Sequence, residues 1–269
     1  MDEWSFGLTR RDRSAKPILG RLPNSAAPAL TDFPKFSVII CTRNGAGRLV
    51  LCLEAARALE YPDFEIMVVN DGSTDSTKSF LDQQEGIRVI HLEPCGLSAA
   101  RNRGAFEATG DILAYTDDDC QVDPHWLSEL ARVFLRSEAA AVGGPNLSPP
   151  IESLSLALTT AAPGAPSHVM LSDREAEHLP GCNIAVRKEA FERVGGFDEI
   201  FQVAGDDVDF CWRLRDAEMT LGFSPAAFVW HHRRATPWRY LKQQMGYGKA
   251  EALLFTKQPQ RFGEGGIRW

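Results

Sequence analysis

The chain has 269 residues, of which 44% are hydrophobic and 24% are charged. These proportions are ordinary for a soluble globular protein and exclude a chain that is disordered along its whole length. Lysine and arginine total 29 against 36 aspartates and glutamates, so the formal net charge is −7. Because sequence-independent binding to DNA or RNA depends on neutralising phosphates, this acidic chain is a poor candidate for a nucleic-acid partner.

Membrane and disulfide signals are weak. No apolar stretch approaches the roughly 20 residues of a membrane-spanning helix, and the N-terminal residues lack the apolar segment of a signal peptide. We therefore expect a cytoplasmic protein. Its six cysteines contain no C-x-x-C pair, which argues against a zinc knuckle or a disulfide framework and favours unpaired, mostly buried thiols.

Residues 1–33 are rich in arginine and proline, which predicts an irregular N-terminal arm. From residue 36 onwards, short apolar runs alternate with segments of helical length. The predicted strands are 36–41, 64–69, 87–92 and 112–115, and the predicted helices are 49–59, 74–84, 98–109 and 123–136. Such alternation implies an α/β fold with a mostly parallel sheet and helices on both faces.

The second half of the chain is less regular. Residues 145–180 contain several prolines and little periodicity, which predicts a long irregular connection. Helical patterns return at residues 188–194, 207–217 and 237–255. No clear linker is present, so we expect one domain over residues 34–235 and a C-terminal helical extension over residues 236–269.

Each of the four predicted strands ends in a polar loop. Ligands of parallel α/β sheets bind beyond the carboxyl ends of the strands. We therefore expect Arg43, Asp71, Gly96 and the acidic residues 117–119 to meet at one edge of the sheet.

Asp117, Asp118 and Asp119 directly follow the fourth strand. Three adjacent carboxylates repel one another unless they lie in water or on a cation. Oxygen ligands suit a hard divalent ion such as Mg²⁺ or Mn²⁺, which waters and substrate phosphates typically complete. A solvated acidic loop is the simpler alternative, but the position after a buried strand favours metal binding.

Other ligand-binding motifs fit the sequence poorly. An EF-hand calcium loop starting at Asp117 would need glycine at the sixth position and glutamate at the twelfth. Val122 and Ser128 stand there instead. The glycine-rich dinucleotide fingerprint and the G-x-x-x-x-G-K-[ST] phosphate loop are also absent, which weakens a nucleotide-cofactor interpretation.

Two further groups could contribute to a site. Asp206 and Asp207 open a predicted helix, where carboxylates either complement the helix dipole or, if the loop folds over the metal, supply a general base. His231 and His232 follow an apolar run. A structural role is the simpler interpretation of this pair, but an imidazole near the acidic triplet would complete a metal site.

Seven segments, in this order, together resemble an inverting, metal-dependent glycosyltransferase of family 2 over residues 36–232. They are Cys-Thr-Arg-Asn (41–44), Val-Val-Asn-Asp-Gly-Ser-Thr-Asp (68–75), Gly-Leu-Ser-Ala-Ala-Arg-Asn (96–102), Thr-Asp-Asp-Asp (116–119), Asn-Ile-Ala-Val-Arg (183–187), Gly-Gly-Phe-Asp-Glu (195–199) and Gly-Asp-Asp-Val-Asp-Phe (205–210). The resemblance implies the GT-A fold, a Rossmann-like, mostly parallel mixed sheet flanked by helices.

The resemblance also implies which residues bind the donor nucleotide. Asp71 would recognise the base, and Thr42 and Arg43 would line the same pocket. Arg101 and Asn102, on the helix after the third strand, would lie near the donor.

For the reacting part of the site, the resemblance implies a D-x-D motif and a base. Asp117 would face the ribose and share in metal binding, Asp119 would hold the metal, and Asp118 would occupy the variable middle place toward the donor. Asp207 would be the catalytic base. His231 would be a further metal ligand, with its neighbour in the pair as the alternative.

The implied reaction transfers a sugar from a UDP-, GDP- or dTDP-sugar to a hydroxyl of a glycan, lipid or small molecule, with inversion. It would serve polysaccharide or glycoconjugate biosynthesis and use Mn²⁺ or Mg²⁺. Residues 145–180 would select the acceptor. Two alternatives remain: a nucleotidyltransferase that makes sugar nucleotides, and an inactive relative that binds a nucleotide sugar without turnover.

The last predicted helix places Trp238, Leu241, Met245 and Leu253 on roughly one face, with basic residues elsewhere. This pattern favours a helix that packs on the catalytic domain. The alternatives are a peripheral contact with the inner face of a membrane or a contact with another subunit.

Overall fold

The computed structural model describes residues 33–150, 153–162, 164, 167–232 and 236–262. The predicted N-terminal arm lies outside these ranges except for Phe33, and so does the end of the predicted C-terminal extension after residue 262.

The first half alternates strands and helices, as its apolar pattern predicts. Its elements are the strands β1 (Phe36–Thr42), β2 (Phe64–Asp71), β3 (Arg88–Leu92), β4 (Ile112–Asp117) and β5 (Cys120–Val122), and the helices α1 (Ala46–Arg57), α2 (Thr77–Leu81), α3 (Leu97–Glu107) and α4 (Trp126–Phe134). Strands β3, β2, β1 and β4 lie side by side in parallel. Helix α2 is shorter than the predicted 74–84 because Asp75 accepts hydrogen bonds from Thr77 in a turn before it.

The second half contains short strands that its sequence pattern does not predict. Its elements are the strands β6 (Ala141–Gly143), β7 (Asn146–Leu147), β8 (Val169–Met170), β9 (Glu175–His178), β10 (Ile184–Arg187), β11 (Leu221–Phe223) and β12 (Val229–His231), and the helices α5 (Leu154–Ala161), α6 (Lys188–Arg193), α7 (Asp206–Asp216) and α8 (Pro237–Lys257). The predicted irregular connection over residues 145–180 is therefore only partly correct. Strands of two to four residues are too short to give a periodic signal,.

Within the described ranges, these elements form two sheets. The larger has nine strands in the order β3-β2-β1-β4-β10-β6-β11-β9-β8, and the smaller has the order β5-β12-β7. Strand β10 runs antiparallel to both of its neighbours, β4 and β6. The larger sheet is thus mixed, as the family resemblance implies.

The central strands are buried on both faces. Val38 and Ile40 of β1 belong to one core cluster, and Ile39 between them belongs to the other. This arrangement explains why the strands read as continuous apolar runs. The sheet stays apolar along β4 as far as Tyr115, and polar side chains begin where its carboxyl edge meets solvent.

Helix α3 lies unusually close to the sheet. A β-carbon placed on Gly104 would lie 2.6 Å from Cγ2 of Ile39. Residues three apart on a helix share a face, so the close approach of Gly104 also directs Arg101 toward the sheet, beneath the carboxyl end of β4.

Helix α8 packs on the rest of the domain through Ala250 and Leu254, which are buried. Packing on the domain is therefore confirmed, but not through the predicted apolar face, because Trp238 and Met245 are 77% and 68% exposed. Among the residues that the structure describes, no helix combines the length and apolar character that crossing a bilayer requires.

Candidate active site

A cleft of about 400 Å³ opens beside the carboxyl edge of the large sheet. One wall contains Arg101 of α3, Asp117 of β4 and Asp207 of α7, and Tyr247 of α8 lies among the other lining residues. Three residues that the sequence analysis assigns to the donor, the metal and the base are thus brought together.

Arg101 connects two carboxylates within this wall. Arg101 is 3% exposed, and its guanidinium donates through Nη2 to Asp117 over 3.1 Å and through Nη1 to Asp206. Burial opposes the charge of Arg101, yet the two carboxylates raise its pKa. Burial also raises the pKa of Asp117, and that of Asp206 to about 6, while Arg101 opposes both shifts. Arg101 therefore holds the end of β4 to the start of α7.

Asp207 lies next to this ion pair on the first turn of α7. Its Oδ2 accepts a hydrogen bond from the backbone N–H of Gly181 over 2.8 Å and lies 3.8 Å from Nε2 of His178. Burial opposes ionisation of Asp207, but His178, Arg101 and the N–H of Gly181 together lower its pKa to about 2. The cleft therefore contains an ionised carboxylate at neutral pH, as a general base requires.

His178 has no role in the sequence analysis. It lies at the end of β9, inside the segment whose pattern predicts an irregular connection. A lone histidine on a four-residue strand cannot be recognised as a site residue from the local sequence. Only the pairing of β9 with β11 brings it beside α7.

Asp119 faces His231 across the smaller sheet. Oδ1 of Asp119 lies 3.4 Å from Nε2 of His231. Burial disfavours a charged His231, but contact with Asp119 raises its pKa to about 9. His232 instead turns its Nε2 to Gln121 over 3.1 Å. Because side chains alternate along a strand, only the first histidine of the pair points to the acidic triplet.

The residues around Asp119 fit a divalent cation. The ligand atoms of Asp119, Cys120 and His231 lie within 4.8 Å of one another, and Nδ1 of His231 is buried without a hydrogen-bond partner among the described residues. Asp119 and His231 would hold the ion. Asp117, the other predicted metal ligand, is turned to Arg101 and lies outside this group.

Asp118 has a different partner from its two neighbours. Its carboxylate accepts hydrogen bonds from Nε and Nη2 of Arg48 over 2.8 and 2.7 Å and from the hydroxyl of Thr42 over 2.6 Å. Burial raises the pKa of Asp118, and Arg48 opposes this shift. A β-carbon on Gly45 would lie 2.3 Å from Oδ2 of Asp118, so only glycine fits beside this ion pair. The predicted donor residues Thr42 and Asp118 are thus bound to each other.

Asp71 organises the loop that precedes α3. Its carboxylate accepts a hydrogen bond from the backbone N–H of Cys95 over 2.6 Å and weaker ones from that of Gly96. Nη1 of Arg43 lies 3.9 Å from Asp71, and Arg43 is half exposed. The two predicted base-recognition residues therefore lie together at the carboxyl ends of β1 and β2.

Asn102 is not brought into the cleft. Its carboxamide exchanges two hydrogen bonds of 2.8 Å with the backbone of Phe197. It lines a different surface pocket, with Gly195 and Gly196. Asn102 follows Arg101 by one position on α3 and therefore points to another side of the helix.

The cysteines are all unpaired in the structure, as their spacing predicts. Four are buried, Cys41 is partly buried and Cys95 is exposed. The sequence analysis gives none of them a role, although Cys120 directly follows the D-x-D motif.

The mixed sheet with a cleft beside its carboxyl edge has the GT-A fold. A mannosyltransferase from Pyrobaculum calidifontis, solved with GDP-Man and Mn²⁺, superposes with a TM-score of 0.64 at 22% identity. The superposition covers 87% of this chain and 66% of the mannosyltransferase chain. TarS of S. aureus, solved with UDP-GlcNAc, gives a TM-score of 0.60 at 19% identity, covering 74% of this chain and 59% of its own.

Sequence comparison identifies the family. The model of Glycosyl transferase family 2 matches residues 37–195. A pre-mycofactocin glycosyltransferase of Mycobacterium tuberculosis is 31% identical over 236 residues, 84% of this chain and 48% of that protein. Glycosyltransferase AglE of Haloferax volcanii is 30% identical over 233 residues, 82% of this chain and 74% of that protein. The chain belongs to glycosyltransferase family 2 and spans about half the length of the mycobacterial relative.

Replacing Arg101 tests its role as the link between β4 and α7. Arg101→Met should destabilise the protein by about 3–5 kcal/mol, because it leaves two buried carboxylates without a counter-charge. Arg103→Met is the matched control on α3, since Arg103 pairs with Glu107 at the surface and its loss should cost no more than about 1 kcal/mol. Urea unfolding measures both variants. Equal losses of stability would contradict the assigned role.

Proposed function

We propose that the protein transfers a sugar from a nucleoside-diphosphate sugar to an acceptor hydroxyl, with inversion at the anomeric carbon. The observation that carries this proposal is that Asp117 and Asp207 line one cleft. Arg101, which bonds Asp117 and Asp206, links the two elements that carry them. The relatives are glycosyltransferases, and proteins of the same fold bind GDP-Man and UDP-GlcNAc, which supports this class of donor.

In this proposal, Asp207 removes the proton of the acceptor hydroxyl. An alcohol has a pKa far above 7, so its attack on the anomeric carbon needs a positioned base. As the new carbon–oxygen bond forms, the hydroxyl proton passes to Asp207, and the bond from the anomeric carbon to the phosphate oxygen breaks. Direct displacement from the opposite side inverts the anomeric centre.

The same proposal assigns the donor side of the site. Asp119 and His231 would hold Mn²⁺ or Mg²⁺, and a bound cation would neutralise the charge that develops on the departing nucleoside diphosphate. Thr42, Arg43 and Asp71 would line the nucleotide pocket, since they lie at the carboxyl ends of β1 and β2.

Asp118 and Asn102 act indirectly in the proposal. Their polar atoms are engaged by Arg48 and by the backbone of Phe197, so we infer that they position loops of the donor site. Arg101 acts likewise, through Asp117 and Asp206.

Replacing Asp119 tests the metal assignment. A thermal-shift screen of UDP, GDP and dTDP with Mn²⁺ first identifies the nucleotide, because a tight ligand raises stability by mass action. Asp119→Asn should then weaken Mn²⁺-dependent nucleotide binding by roughly 100-fold or more in calorimetry, because it removes a charged ligand. Asp123→Asn, directly after β5, should leave the affinity unchanged. Unaltered affinity in the Asp119 variant would refute the assignment.

Replacing Asp207 tests the base. Asp207→Asn should lower the rate of transfer by about 100- to 10,000-fold, while donor affinity stays near normal because the carboxamide keeps the shape of the side chain. Asp216→Asn, at the exposed end of the same helix, is the control. Near-normal turnover of Asp207→Asn would show that Asp207 is not the base. Release of pyrophosphate by the native protein would favour a nucleotidyltransferase.

We also infer that α8 touches an anionic membrane surface. Trp238 and Met245 are 77% and 68% exposed, and the exposed lysines Lys242 and Lys249 lie beside them. Apolar side chains flanked by basic ones suit the interface of an anionic bilayer.

Vesicle sedimentation tests this contact. The native protein should sediment with phosphatidylglycerol vesicles, and the double variant Trp238→Ser, Met245→Ser should stay in solution. Phe106→Ser is the control, because Phe106 is equally exposed, at 77%, but lies on α3. A native protein that remains in the supernatant at low salt would contradict the contact.

A further inference from the structure

Cys120 lies beside the metal residues because of strand pairing. It begins β5, which runs antiparallel to β12, and its register partner is His231. Residues directly opposite each other in an antiparallel pair project to the same face, with β-carbons about 4.5–5.5 Å apart. The thiol, the carboxylate of Asp119 and the imidazole of His231 therefore converge, with their ligand atoms within 4.8 Å of one another and all three residues buried.

The imidazole of His231 is buried and has Nε2 3.4 Å from Oδ1 of Asp119. Nδ1 of His231 is buried and has no hydrogen-bond partner within the part of the chain that the structure describes. Buried ring nitrogens are normally satisfied, and each such exception in a native structure calls for an explanation. Neutral imidazole is the commonest metal ligand of proteins.

The three donor types together favour a particular kind of ion. One carboxylate, one imidazole and one thiolate, with a coordination position left for substrate, match the three-ligand pattern of catalytic zinc sites. Mg²⁺ prefers an all-oxygen environment and seldom takes sulfur. A site that includes Cys120 would therefore select a softer ion than a D-x-D motif alone.

We infer that Cys120 is a third protein ligand of the divalent cation at Asp119 and His231, and that this site prefers thiophilic ions such as Co²⁺ or Zn²⁺ to Mg²⁺. This inference rests on the proposed function only in taking Asp119 and His231 as the metal site. When the ion binds, the sulfur–hydrogen bond of Cys120 breaks, a metal–sulfur bond forms and the proton passes to the solvent.

Cys182 provides a matched control for Cys120. It is also a buried thiol, it forms a hydrogen bond with Cys120, and it lines the cleft. It nevertheless lies outside the group of converging ligand atoms.

Cobalt spectroscopy tests the inference without any sugar donor or acceptor. The metal-free protein is titrated with Co²⁺, because a thiolate ligand gives a near-ultraviolet charge-transfer band that carboxylate and imidazole do not give. The native protein and Cys182→Ser should both develop this band. Cys120→Ser should lose it and bind Co²⁺ roughly 10-fold or more weakly. Zn²⁺ should abolish the band of the native protein at equal concentration, and Mg²⁺ should not.

The outcomes separate this inference from the proposed function. Cobalt binding by the native protein without the band, or an undiminished band in Cys120→Ser, would overturn the inference even if the enzyme transfers sugar with Mn²⁺. A band that depends on Cys120 would support it even if no donor is turned over. Circular dichroism shows whether Cys120→Ser folds. If it does not fold, the presence or absence of the band in the native protein tests the inference.

Discussion

Charge compensation of the acidic triplet is the constraint on which the site depends. Three consecutive carboxylates lie at the edge of a buried strand, where mutual repulsion and desolvation would protonate them. Each faces a different basic side chain: Asp117 faces Arg101, Asp118 faces Arg48, and Asp119 faces His231. Those three basic side chains come from α3, α1 and β12. Because a carboxylate buried alone costs several kcal/mol, the charge of the triplet is compensated only when these elements assemble together.

The same compensation gives the three aspartates separate roles. The sequence argument treats them as one cluster that needs water or a cation. In the structure, the first aspartate is linked through Arg101 to α7, and the second is linked through Arg48 to α1. Only the third is grouped with a histidine that fits metal binding. Adjacent residues in a turn point in different directions, so the three aspartates contact three different partners.

The first half of the fold can be predicted from the sequence because its strands are buried on both faces. Phe36–Thr42 and Ile112–Asp117 appear as unbroken apolar runs that end in polar residues. The later strands carry no such signal. Ile184–Arg187 has only four residues, and its antiparallel insertion between β4 and β6 depends on contacts distant in sequence.

The residues of the candidate site divide in the same way. Asp117, Asp119 and Asp207 can be found from local motifs, since a strand end or a helix start marks each of them. Arg48 and His178 cannot be found from local motifs. Asp118, the partner of Arg48, lies 70 residues away in the sequence, and Asp207, the partner of His178, lies on another element. Cys120 is visible in the sequence, but only its register with His231 gives it chemical meaning.

The tight fit at Gly45 couples two loops mechanically. With Thr42 and Asp118 packed against its α-carbon, the turn after β1 has no free space on the side of the triplet. A bound nucleotide that pulls this turn inward must carry Asp118 along or break its two bonds to Arg48. The turn after β1 and the acidic turn after β4 are thereby linked by close packing and by these bonds, at a residue that has no side chain.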